Sequence, residues 1–254
     1  MKSKYQILRD KLCDLKTFIK HRRFGLPGMI GIETATACNR RCSYCPQSAE
    51  PMKQDIISDE VWNKVVSRIE EYGWIGPVAL TRYNELSLVP NSARFVADVK
   101  KIGALPYVFT NGDRPEVILE WLEAGAHRIV VTEHEVTKVS PKKPQWLPCI
   151  MAIKRRYPFR VQLQRLKPEN MHTHIGLVKV EGHQVQQCFS DGLTIDYKGN
   201  VMLCCLDYRR THEFGNIMDK SIDEIWTEPT FKMLREEPRR GNPILEICKK
   251  CLSS

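Results

Sequence analysis

Apolar residues along this chain keep two different rhythms. Between positions 4 and 22, Ile7, Leu8, Leu12, Leu15, Phe18 and Ile19 fall on one face at helical spacing. That spacing predicts an amphipathic helix with a basic back, within an N-terminal unit of residues 1–28 that Gly25, Pro27 and Gly28 close. From Met29 onward, short apolar runs alternate with helical stretches. Strands are expected at 29–34, 78–81, 106–110, 129–132, 159–164 and near 174–180, with helices at 58–72, 91–102, 115–124 and 145–156. Ser58 ahead of Asp59 and Glu60 is an N-cap signal, Pro115 suits a first helical turn, and Gly103 and Gly125 mark helix ends. Repeated strand-helix units predict an α/β fold with a parallel sheet and right-handed crossovers, a partial (β/α)6 barrel over residues 29–182. Functional residues of such barrels sit on the loops after the C-terminal ends of strands.

Near Glu181, Gly182 and His183 the rhythm changes. Leu193 to Tyr197, a Lys198-Gly199-Asn200 turn and Val201 to Cys204 read as a hairpin. Gly215-Asn216-Ile217, a short helix from Ser221 to Trp226, another from Pro229 to Glu237, and the pair Cys248 and Cys251 follow. Residues 183–254 are expected to form a small C-terminal module.

Composition narrows the setting. Charged residues at 27% and hydrophobic ones at 42% describe an ordinary globular chain. No uncharged run approaches the roughly 18 residues of a membrane span, and Met1 to Tyr5 lacks the apolar core of a signal peptide, so a cytoplasmic address is expected. In that reducing compartment, ten cysteines point to metal or cluster ligation rather than disulfides. The net charge of +9 is uneven: residues 1–25 carry eight Lys/Arg against two Asp, a contribution of +6, and Lys154 to Lys167 hold six basic residues and no acid. The plain reading is a solvated face, part of which suits an acidic electron donor of flavodoxin or ferredoxin type. Nothing resembles a nucleic-acid-reading motif.

Cys38, Cys42 and Cys45 stand closely spaced after the first expected strand, in Cys-Asn-Arg-Arg-Cys-Ser-Tyr-Cys. Thiolates are soft donors for iron-sulfur clusters or zinc, and three protein ligands leave one iron of a cluster open. The spacing C-x3-C-x2-C, with Tyr44 before the last cysteine, resembles the radical S-adenosylmethionine (SAM) superfamily. The resemblance implies a 4Fe-4S cluster whose open iron chelates SAM, and a 5'-deoxyadenosyl radical made by reductive cleavage. Cys188, Gly199-x4-Cys204, the Gly215-Asn216-Ile217 to Trp226 segment and Cys248/Cys251 resemble the twitch and SPASM auxiliary-cluster modules. That likeness implies a second 4Fe-4S cluster on Cys188, Cys204, Cys248 and Cys251. Glycine spacing favours Cys204 over its neighbour, and Cys205 is expected to be a buried small residue or a functional thiol near the cluster. Cys13 and Cys149 are expected to be packed side chains.

After the second strand, relatives typically read Gly-Gly-Glu-Pro; here Tyr83-Asn84-Glu85-Leu86 keeps only Glu85, expected to face the ammonium of SAM. Thr110 and Asn111, in a Thr-Asn-Gly turn, and Glu133 and His134, ending the fourth strand, are further candidates for SAM or substrate contacts. Gln162 and Gln164 share a face of the fifth strand and suit hydrogen bonds to a polar substrate. His172 and His174 are candidates for the base that takes a hydroxyl proton, since imidazole titrates near neutrality.

Compact size and one auxiliary cluster look most like the 2-deoxy-scyllo-inosamine dehydrogenase-like family. This implies oxidation of an alcohol carbon of a cyclitol or sugar, with the second cluster accepting an electron. Radical modification of a ribosomal peptide, by epimerisation, thioether formation or crosslinking, stays open as an alternative and gains if Cys205 is exposed. A non-catalytic zinc-binding adaptor is the third reading.

Overall fold

The computed structural model describes residues 25–133, 147–165, 177–178, 188 and 191–253. The expected N-terminal helix, the stretch 138–144, Cys13, His134, His172 and His174 lie outside these. So does most of the strand expected near 174–180, of which positions 177 and 178 are turn and bend.

Strands β1 (Ile30–Ile32), β2 (Pro77–Ala79), β3 (Leu105–Thr110), β4 (Arg128–Glu133) and β5 (Val161–Arg165) pair in parallel in the order 1-2-3-4-5. Between them run α1 (Pro46–Ala49), α2 (Asp59–Tyr72), α3 (Ala93–Lys101), α4 (Pro115–Glu123) and α5 (Leu147–Arg156). The boundary signals act as expected. Ser58 caps α2 by accepting from the Val61 N–H at 3.2 Å, and Gly73 closes it in the left-handed region at φ 69°.

Alternation along each strand makes two unlike faces. Ile30, Ile32, Val78, Leu80, Val108, Ile129 and Val131 are fully buried, together with Trp62, Ile69, Phe95, Ile118 and Trp121 from the helices. Each such burial is worth about 1.5–3 kcal/mol, which anchors the helices on this face. Trp62 also packs edge-on to Phe95 at 4.5 Å and donates from Nε1 to Asp98 at 2.8 Å. The alternate positions Gly31, Ala79, Phe109, Thr132, Gln162 and Gln164 point to the other face, where small and polar groups dominate.

The C-terminal hairpin does not build a sheet of its own. β6 (Leu193–Ile195) pairs in parallel with β1, so Ile30 faces Leu193; β7 (Asn200–Met202) and β8 (Glu213–Asn216) continue antiparallel into one eight-stranded sheet. The β6–β7 turn relies on Gly199 at φ +87°, and Asn216 braces it by donating to Asn200 Oδ1 at 2.7 Å. Helices α6 (Ile222–Trp226), α7 (Pro229–Glu236) and α8 (Glu246–Ser253) complete the module. Ser221 and Glu224 form a capping box on α6.

Candidate active site at the C-terminal ends of the strands

Three loops converge where β1, β2 and β3 end. The first carries Cys38, Cys42 and Cys45. Cys42 is buried, Cys38 and Cys45 are half-buried, and all three are free thiols. Cys45 N–H donates to Cys42 O at 2.9 Å and Cys45 then opens α1, with Pro46 in the first helical position. Tyr44 is buried and its hydroxyl bonds the Cys42 sulfur. Burial pushes all three thiols up, Cys45 to about 11; the charge of Cys42 bears on Cys38, and those of both bear on Cys45.

The second loop holds Glu85, 3% exposed. Its Oε1 accepts from the Thr110 hydroxyl at 2.7 Å and from Ser87 N–H at 3.1 Å; its Oε2 accepts from Asn111 N–H at 2.8 Å. Burial raises its carboxyl pKa against the pull of these donors. Its own N–H donates to Ala37 O at 2.9 Å, and its charge reaches Cys38. Glu85, Thr110, Asn111 and Cys38 are thus one cluster, although they lie on separate loops of the chain.

The third loop, after β3, grips the first. Asn111 Nδ2 donates to Asn39 Oδ1 at 2.8 Å, Asn39 Nδ2 donates to Asp113 Oδ2 at 2.9 Å, and Arg40 forks onto both Asp113 oxygens, Nε at 2.8 Å. Sequence reasoning missed this clasp. The available signal was a basic residue inside one motif and an acid just past the other.

A second thiol group lies beside the first. Cys188, Cys204, Cys248 and Cys251 are half-buried and free. Burial pushes Cys248 and Cys251 each to about 11, with the charge of Cys188 adding to both; Cys251 also feels Cys205. Cys204 packs against the core, while Cys205 is exposed, so of the two expectations for Cys205 the buried one is corrected. Cys204 and Cys205 both lie past the end of β7, Cys205 in a turn, and the outward one is Cys205. Cys149 is likewise exposed rather than packed, because α5 turns Ile150 and Ile153 inward. Tyr83 stands between the two groups. Burial holds its hydroxyl well above the ordinary value, with Cys205, Cys204 and Cys45 adding to that rise.

The remaining candidates are more scattered. Glu133 pairs with Arg165 at 3.2 Å, one position past Thr132 and hence on the opposite face. Gln162 is exposed and accepts from Arg128 at 3.4 Å near the strand starts; Gln164 is half-buried and registers with Thr132 nearer their ends. Phe109, 37% exposed, stands on the same open face as the two glutamines and was not anticipated.

Among the described residues no three His, Cys, Asp or Glu side chains converge as a single metal ion demands. The donor sets themselves suit a larger, softer centre. In the first set Cys45 feels the charges of Cys38 and Cys42; in the second Cys248 and Cys251 feel Cys188, while Cys204 feels its neighbour Cys205, and burial opposes ionisation of Cys38, Cys42, Cys45, Cys204, Cys248 and Cys251. Bound iron supplies the positive charge that would stabilise the thiolates, so the residues fit iron-sulfur clusters.

Comparison with known proteins agrees. Residues 188–252 match the SPASM family, an iron-sulfur cluster-binding domain. The chain is 26% identical over 233 residues to an S-adenosyl-L-methionine-dependent 2-deoxy-scyllo-inosamine dehydrogenase of Niallia circulans, covering 88% of this chain and 92% of that one. Its fold matches a crystal structure of BtrN in complex with AdoMet and 2-DOIA, with a TM-score of 0.74, 22% identity, and 84% and 87% of the two chains covered. A structure of BtrN in an open conformation matches with a TM-score of 0.66, 22% identity, and 88% and 91% covered. The radical SAM resemblance, with a C-terminal SPASM-like module, therefore holds in sequence and in fold. No helix among the described residues is long and apolar enough to cross a membrane.

Proposed function

We propose that this chain is a radical SAM dehydrogenase that oxidises an alcohol carbon of a small polar molecule, a cyclitol or sugar. The observation that carries the reading is the meeting of Cys38, Cys42 and Cys45 with Glu85, Thr110 and Asn111 at the strand ends, with the second thiol group across Tyr83. Cys38, Cys42 and Cys45 would hold a 4Fe-4S cluster with one iron open to SAM; Cys188, Cys204, Cys248 and Cys251 would hold the second cluster. When bound, the first centre with SAM would supply hydrogen-abstracting radical chemistry, and the second a one-electron acceptor for oxidation of the alcohol to a ketone.

The chain's own residues set the geometry. Glu85 offers a carboxylate fixed by three donors, so it meets the SAM ammonium without reorganising, and Tyr44 closes the loop over Cys42. Asn111 and Thr110 orient the same end of the site, and Glu133 and the next residue in sequence, His134, are our further candidates for contacts to SAM or substrate. Gln164 and Phe109 line the open face on which a polar ring can lie. His174 and His172 are our candidates for the proton acceptor. The boundary between barrel and cluster module falls at 182/183. The nine cysteines among the described residues are free, which suits a cytoplasmic setting, and the basic surface suits a flavodoxin- or ferredoxin-type donor.

A second reading, radical modification of a peptide, draws on one observation: Cys205 is exposed beside the second thiol group. Anaerobic reconstitution tests both against the zinc adaptor. The protein should bind about eight irons per chain, as two 4Fe-4S clusters require. Cys42→Ala should abolish 5'-deoxyadenosine formation and Cys248→Ala should preserve it. Zinc uptake without iron would end the radical reading, and product analysis with cyclitols against peptides separates the first two.

A further inference from the structure

We propose that Arg82 and Tyr83 are positioning residues, which clasp the turn at 204–210 against the barrel mouth and thereby fix the second thiol group relative to the first. The proposal rests on the cluster assignments above for its meaning, though not for its geometry. It accounts for a departure in the sequence: where relatives carry the first of two glycines, this chain has Tyr83, preceded by an arginine.

A glycine has no side chain to reach across with; Arg82 and Tyr83 both have one. Tyr83 donates its hydroxyl to Cys205 O at 2.8 Å, and Arg82 Nε lies 3.4 Å from the same oxygen. Arg82 Nη2 donates to Asp207 O at 2.6 Å. Three donors from the β2 loop thus reach two carbonyls of the turn, Cys205 O and Asp207 O, the latter also accepting from Arg210 N–H at 3.1 Å. The turn is stiff, because Asp207, 1% exposed, accepts from the N–H groups of Thr211 and His212 at 3.0 and 2.9 Å. Holding Cys205 O and Asp207 O therefore holds Cys204 and Cys205 as a unit.

The clasp has a buried electrostatic floor. The Arg82 side chain is 4% exposed, and its Nη1 lies 4.0 Å from Glu33 Oε2, at the end of β1. Glu33 is fully buried and also takes Arg210 at 2.5 Å; Arg210 Nε lies 3.5 Å from Asp196 Oδ2, at the end of β6. Two cations and two anions so join β1, β2, β6 and the turn. Arg210 makes these contacts from φ 54°, a region unfavourable for a side-chain-bearing residue. Buried ion pairs seldom add net stability over apolar packing, so a strained one is best understood by the geometry it specifies. Tyr208 packs edge-on against Tyr83 at 4.8 Å and completes the contact.

The test uses iron-reconstituted protein carrying Tyr83→Phe and, separately, Arg82→Met. Hydrogen exchange at residues 204–209, read without SAM or substrate, should rise at least tenfold. The EPR signature of the second cluster should change while that of the first does not, a pattern that general loss of stability would not give. Folded variants with unchanged exchange at 204–209 and an unchanged second-cluster spectrum overturn the proposal. Tyr83→Phe removes one oxygen, so it decides the matter even where Arg82→Met fails to fold. A chain that takes up no iron refutes the proposed function, and the exchange measurement still judges the clasp.

Discussion

Arg40 and Asp113 face each other across the mouth of the sheet, the guanidinium fork of one on both carboxylate oxygens of the other. The pair ties the loop bearing three cysteines to the end of β3. Arg40 is 8% exposed, so Asp113→Asn leaves a largely buried cation with a weakened partner. A loss of about 1–3 kcal/mol is expected in urea unfolding of the iron-free protein. Iron retention at the first site should fall with it, seen as a faster loss of the cluster's absorbance to a chelator.

Glu85 gives the protein a pH dependence of known sign. Its folded pKa is raised above 4.5 by burial, so the folded state holds its proton more tightly than the unfolded state does. The associated stability is fully present below about 4.5 and is lost as pH rises through the folded value. Urea midpoints of the iron-free protein between pH 4.5 and 7 should therefore fall less steeply in Glu85→Gln than in the wild type. Equal slopes would show that the carboxyl ionises as freely as in the unfolded chain.

Trp62 joins α2 to α3 through the Phe95 ring and Asp98. At 1% exposure its removal leaves a cavity and an unpartnered carboxylate oxygen. Trp62→Ala should cost about 3–5 kcal/mol in unfolding free energy. Trp62→Phe should recover a large part of that, without the bond to Asp98.

These elements differ in how openly the sequence announces them. Ser58, Pro115 and the apolar periodicities mark helices because the signals are local, and each strand from 30 to 165 was legible for the same reason. The hairpin at 193–204 was legible too, but its pairing with β1 was not, since an edge does not encode which distant strand will cover it. Cys38, Cys42 and Cys45 declare themselves by spacing. The Arg40–Asp113 and Arg82–Cys205 contacts do not, because each member has an ordinary neighbourhood in the chain. Exposure of Cys149 and Cys205 depends on which way one residue turns at the margin of a helix or strand, which composition does not decide.

Phe109 offers a large apolar surface on the open face of the sheet. If a polyol ring lies there, Phe109→Ala should lower kcat/KM about tenfold, the equivalent of about 1.4 kcal/mol of contact. SAM cleavage without substrate should be unaffected. An unchanged kcat/KM would place the substrate elsewhere.

α8 brings Cys248 and Cys251 to the second thiol group while burying little of its own surface. Chelation of iron should therefore expose this helix first. Limited proteolysis of the chelated protein is expected to cut between 241 and 253 at least several-fold faster than in the iron-loaded protein, with the barrel fragment remaining intact.

The pairing of β6 with β1 also has a consequence for how the molecule is made. During synthesis Ile30 emerges well before Leu193, which completes its backbone bonding. Until then the strand leading to Cys38 has an open edge. The first thiol group is therefore framed on both sides only after β6 has been translated.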